Sequence, residues 1–341
     1  MNAPENIDLT PGAPLSAPLA VAVPWHVQQQ RIPAGWCDPD YVIDVAPYRE
    51  VFVQQNTYKP GKSYDLGPDP RFRRLRAETA WWVWTCWDEG LMKVPVWILR
   101  WWSDAIQGLA EGTRKRPDRV SAADFAPGIV VREAIKQFMG RNGKMPAPGS
   151  VRNLENIARH IHLMVSVRCG ASAWWEHDLW DLRVDDRIPR RPHEPSIYKS
   201  IDLSVIEPDW LREGVRYWLR QTLTTQMYRW TTAVGHAGQL ATYFSTWLTQ
   251  APHDPAITGP AIAEDPAVMR LAFLDFAGWL QDPTAPGRRG PIAQEQARTA
   301  QHRVQAFYRF MVDHAPEAAH ATGDPRWGDL TEAHTRLWPP E

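Results

Sequence analysis

Residues 222–249 read TLTTQMYRWTTAVGHAGQLATYFSTWLT. In this stretch Leu223, Met227, Trp230, Val234, Ala237, Ala241, Phe244 and Leu248 recur at alternating spacings of four and three residues. A helix turns once in about 3.6 residues, so that alternation puts all of them on one face. A strand needs a period of two, which is missing here. The spacing predicts a long amphipathic helix from Thr222 to Thr249, with one side buried and the other in water.

The same test works outward along the chain. A helix is expected from Pro208 to about Gln221. A third opens at Asp265-Pro266, with Met269, Phe273, Phe276 and Leu280 as its stripe. A fourth opens at Gly290-Pro291, with Ala293, Ala297, Ala300, Val304, Phe307 and Met311. Proline suits a first turn because its φ is preset and its missing N–H is not needed there. Four such helices can hide their stripes only against one another, which predicts a four-helix bundle over residues 201–341.

Upstream, a Trp-laden helix is expected from Arg71 to Trp87, behind Asp69-Pro70. A second begins near Pro95, with the stripe Ile98, Trp102, Ala105 and Leu109. A charged, proline-marked connection over 111–128 leads to short helices at 129–140 and 151–168. The last of these carries Leu154, Ala158, Ile161 and Val165. Prolines in the loop-like stretch 174–195 place a boundary near residue 200. Residues 1–68, rich in Pro, Gly, Asp and Tyr, read as an extended, partly ordered arm. The expected fold is all-α: a Trp-rich helical domain over 69–200, then the bundle.

The chain has 341 residues, 44% hydrophobic and 23% charged, enough apolar mass for a sizeable core. Its 19 tryptophans are expected to fill gaps between helices. A formal net charge of −1 excludes a polycation. Arginine outnumbers lysine 31 to seven, and arginine is the better planar partner for phosphate, although a GC-rich gene gives the same skew. From residue 209 onward there is no lysine and acids slightly outnumber bases, so any basic surface there must be a local patch. Cys37, Cys86 and Cys169 stand apart, which speaks against a zinc site or a disulfide framework and fits a reducing, cytoplasmic setting. The stretch Pro14–Trp25 is broken by prolines and lacks a basic lead, and no apolar run approaches the roughly 18 residues that span a membrane.

No phosphate-cradling glycine loop, HExxH or GxSxG is present. His160 and His162 lie two apart, on opposite sides of a helix, and cannot chelate one metal together. Glu176, His177, Asp178 and Asp181 form the best polar cluster, and are expected to satisfy helix ends and loop backbone. No metal or organic cofactor is implied. The polar helix faces say more. Opposite the stripe of 222–249 stand Thr225, Arg229, Thr232, His236 and Gln239. Opposite that of the fourth helix stand Arg298, His302, Gln305 and Arg309, with no acid between them. Arg288 and Arg289 immediately precede that helix, where backbone N–H groups favour an anion. Such donor-rich rows suit phosphate oxygens and base edges. The competing reading is an ordinary solvated helix face.

With the helices placed, the second half resembles the core-binding domain of tyrosine recombinases, the phage-type integrases. The resemblance rests on Thr224-Thr225-Gln226-Met227-Tyr228-Arg229-Trp230, on Leu240-Ala241-Thr242-Tyr243-Phe244, and on the run from Gln301 to Met311 that ends in Phe307-Tyr308-Arg309-Phe310-Met311. The first half, at Thr79–Ile98 and Trp180–Pro195, is similar to the long extension of large integrase-like proteins. The resemblance implies double-stranded DNA as partner, a place in integration or recombination, and possible assembly with other recombinase protomers or a separately encoded catalytic domain. Arg229, Arg288, Arg289, Arg298 and Arg309 are then expected to grip phosphate, and His236, Gln239, His302 and Gln305 to lie nearest the bases. The family's catalytic set is not matched. No histidine is followed three residues later by arginine, and the last tyrosine, Tyr308, falls inside a bundle helix. A non-catalytic, truncated, split or stand-alone derivative is expected. The other class considered is a helical interaction module that docks a partner chain through the Trp-rich half.

Overall fold

The computed structural model describes residues 52–53, 65–169, 172–194, 198–250, 265–287 and 290–338. It is mainly helical and divides into two units, Met1–Ala173 and Trp174–Glu341. The division falls earlier than the residue 200 expected from proline content. Trp174, Trp180 and Ile188 are buried in the second unit's core. Arg216 also ties this segment down, donating to the carbonyls of Trp175 at 3.0 Å and His177 at 2.7 Å. A proline-rich loop can belong to a unit when its aromatic residues are buried there.

The first unit contains α1 (Arg73–Asp88), α2 (Val96–Glu111), α3 (Pro127–Asn142) and α4 (Pro148–Cys169). One short parallel pairing joins β1 (Phe52–Val53) to β2 (Val94–Pro95). Trp81, Trp82, Trp101 and Trp102 are all buried. Two of their indoles are satisfied inside: Trp82 Nε1 donates to His160 Nδ1 at 2.8 Å, and Trp101 Nε1 to the Ala134 carbonyl at 2.8 Å. The stripe Leu154, Ala158, Ile161 and Val165 is buried as its spacing predicted. Asp69 accepts from the Arg71 backbone at 2.8 Å and its guanidinium at 3.1 Å, and α1 starts only after that turn. Glu78, fully buried, accepts from Ser121 Oγ and the Ala122 N–H, each at 2.7 Å, and so fastens the connection between α2 and α3.

The second unit contains α5 (Asp209–Thr224), α6 (Trp230–Gln239), a π-helical turn (Leu240–Ser245), α7 (Thr246–Gln250), α8 (Pro266–Gln281), α9 (Gln294–Asp313) and α10 (Ala315–Thr322). Strands β3 (Leu179–Asp181) and β4 (Ser200–Asp202) pair antiparallel, with Trp180 opposite Ile201. The predicted continuous helix over 222–249 is corrected in two places. The preceding helix runs on through Thr224, and the chain then turns. Gln226 takes a left-handed φ of 55°, the usual way for a helix to end. Leu223 therefore belongs to α5, and Met227 points outward, 62% exposed. Further on, the π turn inserts an extra residue and rotates the stripe. Leu240, Phe244 and Trp247 are fully buried, whereas Ala241 and Leu248 are only partly so.

Trp230 is fully buried, as its place in the stripe required, and its Nε1 donates to the Tyr198 carbonyl at 2.7 Å. The core joins Trp218, Phe244, Phe273, Phe276, Phe307, Tyr308 and Trp327. At Gly214 on α5 a Cβ would stand 2.6 Å from Trp327 Cζ2 and 3.1 Å from Phe307 Cζ. Helix α5 reaches the indole only because that position has no side chain. The stripes of α8 and α9 are buried as predicted, except Ala293, which lies just before α9 and is exposed.

Candidate nucleic-acid interface

Burying Ala297, Ala300, Val304, Phe307 and Met311 turns the opposite side of α9 outward. Arg298, His302 and Arg309 are exposed there, and Gln305 is half-buried. All four line one open groove of about 940 Å³. Its other wall is the C-terminal segment, with Glu332, Thr335, Arg336 and Trp338, and Asp313 also lines it. Gln305 Nε2 reaches across to the Thr335 carbonyl at 3.4 Å, holding wall and floor together. The twelve residues from Arg298 to Arg309 span about 16 Å of helix.

Several arginines elsewhere in the unit are neutralised close by: Arg183 by Asp181, Arg187 by Asp185, Arg216 by Asp178 and Glu213, Arg326 by Asp324. Among the described residues, Arg298 and Arg309 take part in no ion pair. Arg336 is 3.8 Å from Glu332 with both side chains largely exposed, a separation at which solvent weakens the pair.

The second predicted row does not form. His236 is only 2% exposed and lies inside the unit. The buried face of α6 runs through Trp230, Ala233, His236 and Ala237, rotated from the predicted line through Val234, which is only partly buried. Tyr228 stacks on the imidazole at 4.8 Å, and Trp218 meets it edge-on at 4.6 Å. Arg303 Nη1 lies 2.9 Å from His236 Nε2. A guanidinium only donates, so Nε2 accepts and the ring proton sits on Nδ1, which is buried without a hydrogen-bond partner. Burial, and then the Arg303 charge, push the His236 pKa down to about 3. A neutral, enclosed imidazole cannot lie against bases. Gln239 is half-buried with its Oε1 enclosed and unpartnered, so it presents no acceptor to a ligand. Arg229 is exposed just before α6 and does not line the groove. Arg288 and Arg289 lie outside the described residues.

The cluster near Trp174 is built into the loop: Asp178 pairs with Arg216, and buried Asp181 accepts from the Arg183 backbone at 2.9 Å. Among the described residues no group of three or more His, Cys, Asp or Glu could hold a metal. No helix there is long and apolar enough to cross a membrane. Tyr308 is fully buried, and burial pushes its phenol well above the usual range. Arg336 and Trp338 were not legible beforehand, because the segment carrying them has no helical period to give it a face. Compared with known proteins, the chain matches no family model, no curated protein and no solved structure.

Proposed function

We propose that the second unit is a DNA-binding module that grips phosphate through the α9 groove. The observation that carries this reading is the gathering of Arg298, His302, Gln305 and Arg309 in one groove, with both arginines unpaired among the described residues. Two exposed guanidiniums in one groove, neither in an ion pair among the described residues, suit a surface that meets an external anion. The module carries no strand-cleaving chemistry of its own, since the family's catalytic set has no counterpart in the sequence and Tyr308 is enclosed. The tryptophans of the first unit give less support to a docking role, because Trp81, Trp82, Trp101 and Trp102 are core.

The test is fluorescence anisotropy with labelled 20-mer DNA, both single-stranded and duplex, at 50 mM salt. Binding in the micromolar range is expected, the tighter end of about 10⁻⁴–10⁻⁶ M for sequence-independent contacts. Arg298→Ala/Arg309→Ala should weaken it about 10-fold or more. A chain that binds neither form would overturn the reading.

A further inference from the structure

We infer that the α9 groove seats one unpaired DNA strand and that α9 does not enter a duplex major groove as a recognition helix. This rests on the DNA-binding reading above and deepens it. A recognition helix must be the outermost ridge of its domain. An α-helix with side chains is about 10–12 Å across, and the major groove is about 12 Å wide, so the helix fits only alone. Helix α9 is not alone. Residues of the 332–338 segment line the same groove beside it, and the Gln305–Thr335 hydrogen bond joins the two. Together they are too broad to enter, and the polar row is the floor of a concavity. A duplex laid across that concavity meets its rim; a single extended strand can reach its floor.

The lining fits such a strand. Arg298 and Arg309 stand along the floor, with Arg336 on the facing wall, giving three cations for phosphates. Trp338 adds an aromatic wall. It packs edge-on against Phe273 at 5.4 Å, which fixes the ring, and its Nε1–H is buried with no hydrogen-bond partner. Phosphate contacts combined with an indole on which a base can stack are how sequence-tolerant single-strand sites are built. Asp313 and Glu332 also line the groove and limit how many phosphates it accepts. His302 and Gln305, on this view, contact backbone and sugar, not base edges of a closed duplex.

The experiment compares labelled dT20 with a 20-base-pair duplex on the full chain, for the parent and for Arg336→Ala. Arg336 is 73% exposed, so its removal leaves the fold intact. The strand should bind about 10-fold or more tighter than the duplex. With three phosphate contacts its affinity should fall about 20-fold between 50 and 200 mM salt. Arg336→Ala should weaken strand binding several-fold. Duplex binding as tight as strand binding, or strand binding indifferent to Arg336→Ala, overturns this inference and leaves the DNA-binding reading standing. Absence of binding to both forms overturns the two together.

Discussion

Arg303 decides what His236 can do. The guanidinium occupies Nε2 as a donor, and the aromatic rings of Tyr228 and Trp218 enclose the rest. Adding a proton would place a second positive charge beside the first in a buried site. The folded-state pKa is depressed, from 6.5 to about 3. Between those values the unfolded chain binds a proton that the folded chain refuses. Stability is therefore complete above about pH 6.5 and is lost as pH falls toward 3, by up to about 1.4 kcal/mol per pH unit. His162 is shifted the same way by its own burial, so the comparison must be with a variant. In His236→Gln, thermal unfolding followed from pH 7 to pH 4.5 should show a shallower decline than in the parent. Equal slopes would mean that the imidazole is hydrated. His236 was misplaced from sequence because its polar type was read as outward, whereas the buried face of α6 takes in Ala233 and His236 in place of Val234.

Stripe spacing made the helices legible where they are unbroken. Met269, Phe273, Phe276 and Leu280 on α8, and Ala297, Ala300, Val304, Phe307 and Met311 on α9, are buried as their periods required. Periodicity cannot see a break whose length suits the period. The turn over 225–229 and the π turn at Leu240–Ser245 both preserve an apparent alternation of four and three. The turn depends on Gln226 adopting a left-handed conformation that its residue type does not announce. Glycine positions separate packing from propensity. Gly214→Ala drives a methyl to 2.6 Å from Trp327 Cζ2, and overpacking of this kind costs about 1–3 kcal/mol. Gly235 on α6 has nothing within 4 Å of its would-be Cβ, so Gly235→Ala should stabilise by about 0.5–1 kcal/mol. Chemical denaturation of the two variants checks this; a neutral or stabilising Gly214→Ala would refute the close approach of α5 to Trp327.

On the scale of the whole molecule, the all-α class was readable, and so was the α9 row, since one helix face is a local property. The groove was not, because its second wall comes from residues 332–338, brought beside α9 by packing that no local pattern encodes. A nearly neutral chain can bind a polyanion only where cations locally outnumber acids, as Arg298, Arg309 and Arg336 outnumber Asp313 and Glu332 in the α9 groove. Salt dependence counts those contacts directly, because each phosphate neutralised releases counterions. The decisive measurement is the slope of log affinity against log salt from 50 to 200 mM for the parent and for Arg298→Ala/Arg309→Ala, with whichever DNA form binds. Removing two phosphate contacts should flatten the slope by about 1.4 for a single strand or about 1.8 for a duplex, with little change in melting temperature because both side chains are exposed. A double variant with the parent's affinity and slope would contradict the assignment of the α9 groove to DNA.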